Sequence, residues 1–166
     1  MDSVVFRVNG KPVPKGSVTR MPNGAYLPAG NAASRMHFQI WKENIASAAR
    51  VAMGERQPWM GPVRFKAELQ IPAPSGIKKT DWGWIPHVKK PDIDKLTRAL
   101  FDPLKGIVWG DDSQVSFCAV NKVYAWNGQP GAVIVVDFLS PEWCASYGAA
   151  HQKIADLLHQ KGAYDD

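Results

Sequence analysis

The chain has 166 residues, of which 45% are hydrophobic and 21% are charged. This length suits one domain with at most a small appendage, and this balance excludes a disordered or fibrous protein. The net charge of +5 is uneven: residues 1–90 hold 14 Lys and Arg against 5 Asp and Glu, whereas residues 91–166 hold 6 against 10. A basic region is typical of proteins that bind polyanions, and clustered acids are typical of a divalent-cation site.

Nothing in the sequence indicates a membrane or secreted protein. The longest aliphatic run, Val133 to Val136, is far shorter than a membrane-spanning helix requires. The first residues lack the basic and apolar regions of a signal peptide. Cys118 and Cys144 are the only cysteines and form no C-x-x-C pair, which argues against a zinc site or a disulfide framework. We therefore expect buried thiols and a cytoplasmic protein.

The first third of the chain predicts a strand, a long loop and a helix. Apolar residues over 4–8 end at an Asn-Gly pair, which is typical of a strand followed by a turn. Residues 10–34 are rich in Gly, Pro, Asn and Ser, so we expect a loop. Ser34 is a candidate N-cap for a helix over 35–53, and Gly54 is a natural helix terminator.

The middle of the chain contains the clearest strand. Residues 63–71 alternate strictly between apolar and polar side chains, which predicts a half-buried strand. Four prolines interrupt residues 72–91, so no regular element is expected there. Apolar residues at helical spacing then predict a second helix over 93–105, ended by Gly106.

The last third predicts a hairpin and a final helix. Residues 115–124 and 132–139 read as strands, and the Asn127-Gly128 pair between them is a hairpin signal. Ser140 is a candidate N-cap, followed by Pro141, for a helix that extends to about residue 161. The order β-α-β-α-β-β-α predicts an α+β fold, a mixed sheet with flanking helices plus an extra C-terminal helix.

Four acids, here called the acidic cluster, are the best candidates for chemistry: Asp92, Asp94, Asp111 and Asp112. Pro91 favours an extended chain before it, and residues two apart share a face in extended chain, so the first two can lie together. If the strand after Asp112 begins near the start of the second helix, all four carboxylates converge. Converging carboxylates repel each other unless a cation is bound. Mg²⁺, with Mn²⁺ as a substitute, is the expected ion because it prefers oxygen ligands.

Each of these residues also has an ordinary structural interpretation. Asp94 suits a helix start, and Asp111 and Asp112 suit a turn. Arg98 follows Asp94 by four residues, so it can form an intrahelical ion pair. It can alternatively hold a scissile phosphate or stabilise the charge that develops on it.

Basic residues in irregular segments are candidates for contacts with nucleic-acid phosphates. Such contacts supply affinity that carries no sequence information and depends steeply on salt. The tryptophans at 82 and 84 either cover the core or stack on unpaired bases, and the sequence leaves both interpretations open. The candidate phosphate contacts are Lys11, Lys15, Arg20, Lys89 and Lys90.

Two sequence blocks carry a family resemblance. D-I-D-K-L-T-R-A-L-F-D at residues 92–102 and G-I-V-W-G-D-D-S-Q-V at residues 106–115 resemble the RusA family of Holliday-junction resolvases. The resemblance implies a small homodimeric, Mg²⁺-dependent endonuclease of phages and prophages. Such an enzyme acts in DNA recombination and repair and cuts four-way junctions by paired nicks.

The resemblance also assigns roles to residues. It implies that Asp92, Asp94 and Asp112 are catalytic and hold the metal, with Asp111 in support. Arg98 stands at the family's helix lysine, and it keeps the charge but cannot donate a proton as lysine can. The implied nuclease domain covers residues 1–139, and residues 140–166 are a helical appendage on the same domain.

A two-fold dimer suits this activity because junction resolution needs two opposed nicks in symmetry-related strands. Two alternatives remain open from the residues alone. One is a nuclease for flaps, forks or other branched nucleic acid. The other is a basic DNA-binding accessory protein whose acids bind a structural metal or have no catalytic role.

Overall fold

A computed structural model describes residues 2–16, 18–20, 26–28, 31–76, 85–125, 128–146 and 148–149. Two long helices and six strands follow one another along these parts of the chain, residues 112–114 form a single 3₁₀ turn before β5, and residues 141–146 begin a further helix. The elements are β1 (Asp2–Asn9), β2 (Val18–Arg20), β3 (Tyr26–Pro28), α1 (Ala32–Met53), β4 (Val63–Ile71), α2 (Ile93–Leu104), β5 (Val115–Tyr124) and β6 (Gly131–Phe138).

Four strands form one mixed sheet in the order β1-β6-β4-β5. β6 is antiparallel to both β1 and β4, whereas β4 and β5 are parallel, with Val63 opposite Val115 and Ile71 opposite Tyr124. This arrangement confirms the predicted α+β class with a mixed sheet. A parallel pair requires a crossover connection, and α2 provides it.

The predicted hairpin between the last two strands is wrong, because β4 lies between β5 and β6. Gly128 does adopt a positive φ of 72°, as the turn signal suggested, but a turn signal reports only local backbone conformation. The apolar side chains of β4 are buried along its whole length, from Val63 to Ile71. A strand that is buried to this extent gains most by pairing on both sides, and that long-range preference decides the strand order.

α1 and α2 pack on the same face of the sheet and form the core with it. Trp41 and Ile45 from α1 are buried there with Leu100 from α2. Phe65 on β4 meets Phe101 of α2 edge-on, with 4.9 Å between the ring centroids, and Trp109 contacts both rings. These aromatic contacts fix the C-terminal end of α2 against the beginning of the β4–β5 pair.

The structure also corrects two predictions before α1. The N-cap is Asn31 rather than Ser34, and the Asn31 side chain accepts a hydrogen bond from the Ser34 backbone N–H at 2.9 Å. Asn and Ser are equally good N-caps, so residue type alone does not distinguish Asn31 from Ser34 as the start of the helix. The predicted loop over 10–34 contains a short ribbon in which β2 pairs antiparallel with β3.

The predicted cap of the C-terminal helix is confirmed at its first turn. Residues 141–146 are helical, and the Ser140 hydroxyl accepts a hydrogen bond from the Trp143 backbone N–H at 3.3 Å. The Arg64 guanidinium lies over the Trp143 ring at 5.5 Å, which attaches this turn to β4. The part of the predicted helix beyond residue 149 lies outside the described residues. The predicted boundary at 139/140 between the nuclease domain and the helical appendage therefore stays a prediction.

The two cysteines are less buried than predicted. Cys118 is exposed on β5, and Cys144 is partly exposed. Cys118 lies on the outermost strand of the sheet, where a side chain has neighbours on one side only. Within the described segments, no helix is long and apolar enough to cross a membrane.

Candidate active site

The first two acids lie at the N-terminal end of α2. Asp92 is the N-cap residue in an extended conformation, but its side chain makes no capping hydrogen bond. Its carboxylate is therefore half exposed, with the Lys95 ammonium 3.2 Å away. Asp94 follows in the first helical turn, where a negative charge interacts favourably with the helix dipole. Both carboxylates face solvent and remain accessible to a ligand.

Arg98 holds Asp94 in its charged form. The Arg98 Nη2 donates a hydrogen bond to Asp94 Oδ2 at 2.7 Å across one helical turn. This hydrogen bond is the main reason that the pKa of Asp94 is lowered below its ordinary value, and the backbone and charge of Lys95 contribute less. The intrahelical ion pair is therefore confirmed, and a role for Arg98 toward phosphate stays a prediction.

Lys122 fixes the segment that leads into Asp92. Its Nζ donates hydrogen bonds to the backbone carbonyls of Lys89 and Pro91, each at 2.7 Å. Lys122 is near the C-terminal end of β5, so these two bonds attach the beginning of α2 to that end of the sheet. The sequence does not predict these contacts of Lys122, because their acceptors are main-chain atoms 31 and 33 residues away.

The other two acids lie in the turn before β5. Asp111 caps this turn, and its Oδ1 accepts a hydrogen bond from the Ser113 backbone N–H at 3.0 Å. The Lys105 ammonium pairs with the same carboxylate and holds the pKa of Asp111 far below its usual range. Asp112 accepts a hydrogen bond from the indole N–H of Trp109 at 2.9 Å. Asp111 is thus occupied by structural partners, whereas Asp112 keeps free acceptor capacity.

Gln114 holds this turn in place, a role that the sequence reasoning missed. Its Nε2 donates to the backbone carbonyls of Trp59 at 2.9 Å and Gly61 at 2.8 Å. Its Oε1 accepts the Asp111 backbone N–H at 2.7 Å, which completes a capping box. The D-x-x-Q spacing from Asp111 to Gln114 is the signal that could have identified it.

The two halves of the acidic cluster lie at opposite ends of α2. The helix has 12 residues, which at 1.5 Å per residue gives a length of about 18 Å. Asp92 begins it, and Trp109, which binds Asp112, packs against Phe101 near its other end. The four carboxylates therefore do not converge within one chain, as the sequence had led us to expect they could. Among the described residues, no three His, Cys, Asp or Glu side chains are grouped to hold a metal ion.

A basic cleft of about 1050 Å³ opens beside Asp92. The 10–16 loop, the N-terminal half of α1 and the segment that begins α2 form its walls. Two apolar rings, Phe38 and Trp41, line it together with basic side chains. The structure thus places predicted phosphate contacts next to a predicted catalytic acid. The basic residues of the cleft are Lys11, Lys15, Arg35, His37, Lys90 and Lys95.

Two predicted phosphate contacts, Lys89 and Arg20, are not among these residues, and Lys15, which is among them, also pairs with an acid. Lys89 is exposed one residue before Lys90. Lys15 forms an ion pair with Asp102 at 2.8 Å, which ties the 10–16 loop to α2. The side chain of Arg20 and both tryptophans at 82 and 84 lie outside the described residues.

Comparison with known proteins identifies the class of the chain. A family model described as Endodeoxyribonuclease RusA matches residues 9–137, which include the cleft and the whole acidic cluster. The chain is therefore of the endodeoxyribonuclease class. It belongs to the RusA family, which confirms the resemblance drawn from residues 92–102 and 106–115. The "Uncharacterized protein YqaN" of Bacillus subtilis (strain 168) is 26% identical over 132 residues, covering 75% of this chain and 90% of that relative.

The hydrogen bonds of Gln114 predict a stability effect. Gln114→Leu removes the side-chain partners of the Gly61 carbonyl and the Asp111 N–H, and it leaves the Trp59 carbonyl with only its bond from the Gly110 N–H at 3.2 Å. We therefore expect a loss of about 1–3 kcal/mol in the free energy of unfolding. Urea unfolding measures it. Gln39→Leu is the control, because Gln39 is exposed and its side-chain amide donates to the exposed Glu43 one helical turn away, and its effect should stay within about 0.5 kcal/mol. Equal effects of the two changes would contradict the role of Gln114.

The ion pair of Arg98 predicts a shift in an acid titration. Arg98→Met should raise the pKa of Asp94 toward its ordinary 3.8, because the largest cause of the lowering is removed. In the native protein the Asp94 charge is lost only as the pH falls through its depressed pKa, so the variant loses it at higher pH. Carboxyl ¹³C NMR follows this titration. Lys95→Met should raise the pKa less, and an unchanged Asp94 in Arg98→Met would contradict the assignment.

Proposed function

We propose that the protein is a Mg²⁺-dependent endonuclease that resolves four-way DNA junctions by paired phosphodiester hydrolysis. The observation that carries this proposal is the position of two exposed carboxylates, Asp92 and Asp94, next to a cleft lined by lysines. A lysine-lined cleft suits a phosphate backbone, and carboxylates beside a bound phosphate are the usual protein ligands of Mg²⁺. Membership of the RusA family supports DNA as the substrate.

The donors available at this site fit the proposed ion. Asp92 and Asp94 offer oxygen atoms, and the Asp92 carboxylate is not used by a helix cap. We propose that these two residues, together with Asp112, hold Mg²⁺. When bound, the ion would lower the pKa of a water molecule and stabilise the leaving oxygen.

The surrounding cations would bind and orient the DNA. Lys11, Lys15 and Lys90 line the cleft, so phosphates that enter it pass close to Asp92. Lys89 would extend this contact along the DNA backbone, and Arg20 stays a predicted phosphate contact. Arg98 is exposed and already directed at Asp94, so a scissile phosphate held by these acids would also lie within its reach. Contacts of this kind make binding strong at low salt and weak at high salt.

A second copy of the chain would complete the site. One chain separates Asp92 and Asp94 from Asp111 and Asp112 by about the length of α2, some 18 Å by the helix rise. A two-fold dimer can bring one acid pair of each subunit to the other pair of its partner. The same symmetry supplies two active sites for the two nicks that junction resolution needs.

Replacement of Asp92 tests the catalytic proposal. Asp92→Asn should lower the rate of Mg²⁺-dependent nicking of a synthetic four-way junction by at least about 100-fold, because it removes a proposed metal ligand. The assay compares the junction with a flap and a linear duplex, each with Mg²⁺ or EDTA. Asp102→Asn is the matched control, since Asp102 is on the same helix but pairs with Lys15. We expect it to keep most of the nicking activity.

The outcomes distinguish the candidate functions. No Mg²⁺-dependent nicking of any substrate by the unaltered protein would overturn the enzyme and favour a DNA-binding accessory protein. Preferential nicking of the flap would overturn the junction substrate and keep the nuclease. Equal nicking of the linear duplex would overturn selectivity for branched DNA.

Mixing two inactive variants tests the shared site. If Asp92 and Asp112 of different subunits act together, a mixed dimer of Asp92→Asn and Asp112→Asn contains one intact site. Refolding the two variants together should therefore restore nicking. With random pairing, half of the dimers are mixed and each has one intact site, so about a quarter of all sites are active. If each subunit holds a complete site, the mixture stays inactive. Each variant refolded alone is the control.

A further inference from the structure

The cleft beside Asp92 has apolar walls that phosphates alone would not use. Besides its basic residues, three apolar residues of the 10–16 loop and three of α1 line it. Apolar side chains gain free energy by covering an apolar ligand, whereas phosphates bind to cations and N–H groups. The volume of about 1050 Å³ is at the upper end of small-molecule sites, which measure about 300–1,000 Å³. The apolar residues are Pro12, Val13 and Pro14 from the loop, and Phe38, Ile40 and Trp41 from α1.

Hydrogen bonds within the chain hold both walls of the cleft in place. The Lys15 N–H donates to the Lys95 carbonyl at 3.1 Å, which attaches the 10–16 loop to α2. The Asn44 Nδ2 donates to the Asn9 carbonyl at 3.2 Å, which attaches α1 to the residue just before that loop. A cleft that is already formed loses less conformational entropy when a ligand binds.

The cleft is also lined by a residue with a hydrogen-bond donor that lacks a partner. Trp41 is only 2% exposed, and its indole N–H makes no hydrogen bond within the part of the chain that the structure describes. Buried donors of this kind are rare, because burial without a partner costs free energy. The edge of a nucleobase carries carbonyl oxygens and ring nitrogens that could accept such a bond, whereas a hydrocarbon ligand could not.

We propose that the cleft binds one unpaired nucleotide of a DNA strand, with its base between the 10–16 loop and Phe38 and its phosphate among the lysines. A nucleotide combines the two required parts, a flat ring with acceptor atoms at its edge and a negative charge. In an intact duplex the bases are stacked inside, so only the phosphates can contact the basic residues. A base must therefore come from single-stranded or distorted DNA, in which unpairing costs less.

Base binding in the cleft would help the protein to distinguish branched DNA from an intact duplex. This inference rests on the DNA substrate of the proposed function but not on hydrolysis. Asp92 lines the same cleft, so the phosphate of the bound nucleotide would lie beside a proposed metal ligand. A branch point can supply an unpaired base, whereas an intact duplex must first break a base pair.

Binding of single strands without cleavage tests the cleft. The probes are a short fluorescein-labelled oligothymidylate and an abasic strand of the same length, so both carry the same number of phosphates. Fluorescence anisotropy in EDTA measures both affinities. The unaltered protein should bind the thymidylate strand about 5- to 150-fold more tightly, which corresponds to one base stacked on an aromatic side chain. Equal affinities would overturn the proposal.

Two variants separate the base contact from the phosphate contact. Phe38→Ala removes an aromatic ring, so it should bring the two affinities together and leave binding of the abasic strand unchanged. Lys90→Gln should weaken binding of both strands by the same factor, because phosphate contacts do not depend on the base. Met36→Ala is the matched control, since Met36 is on the same half of α1 and 65% exposed but does not line the cleft. Full preference in folded Phe38→Ala, or its loss in Met36→Ala, contradicts the proposal.

Photocross-linking covers the case in which Phe38→Ala does not fold. The unaltered protein, irradiated with a strand that contains 4-thiothymidine, should form cross-links within residues 10–16 or 35–44, which mass spectrometry locates. Cross-links confined to other segments, such as that of the tryptophans at 82 and 84, reject the cleft as the base site. A protein that prefers the thymidylate strand but does not nick junctions keeps this inference and loses the proposed nuclease. Nicking without that preference has the opposite meaning, so the two proposals fail separately.

Discussion

Parallel pairing of β4 with β5 determines where the candidate site residues of this chain lie. Two parallel strands can be joined only if the chain returns along the sheet before the second strand begins. α2 makes that return, so the residues before it lie at one end of the β4–β5 pair and the residues after it lie at the other. The separation of the acidic cluster into two pairs follows directly from this connection.

Local patterns predicted the elements well and the long-range arrangement less well. Strict alternation identified β4, and helical spacing identified α2 within one residue of its observed end. The Ser140 cap was also predicted correctly, because capping depends on a few consecutive residues. The hairpin failed because no local signal shows that β4 inserts between β5 and β6.

The sequence identified candidate residues for the site but not how they are arranged in space. The sequence identified the acids and the lysines near Asp92, and the structure places Lys11, Lys15 and Lys90 in one cleft beside it. The expected convergence of all four acids depended on where β5 begins relative to α2, which is a property of the whole topology. The long-range contacts of Gln114 and Lys122 were not predicted, because their acceptors are distant main-chain carbonyls.

Those main-chain acceptors have a consequence for how the protein can evolve. Lys122 binds the carbonyl group of residue 89, which every residue type provides, so this contact does not depend on the Lys89 side chain. The Lys89 side chain can therefore be exchanged without loosening the backbone that leads into Asp92. The charge at position 89 can therefore change in evolution while the backbone before Asp92 keeps its position.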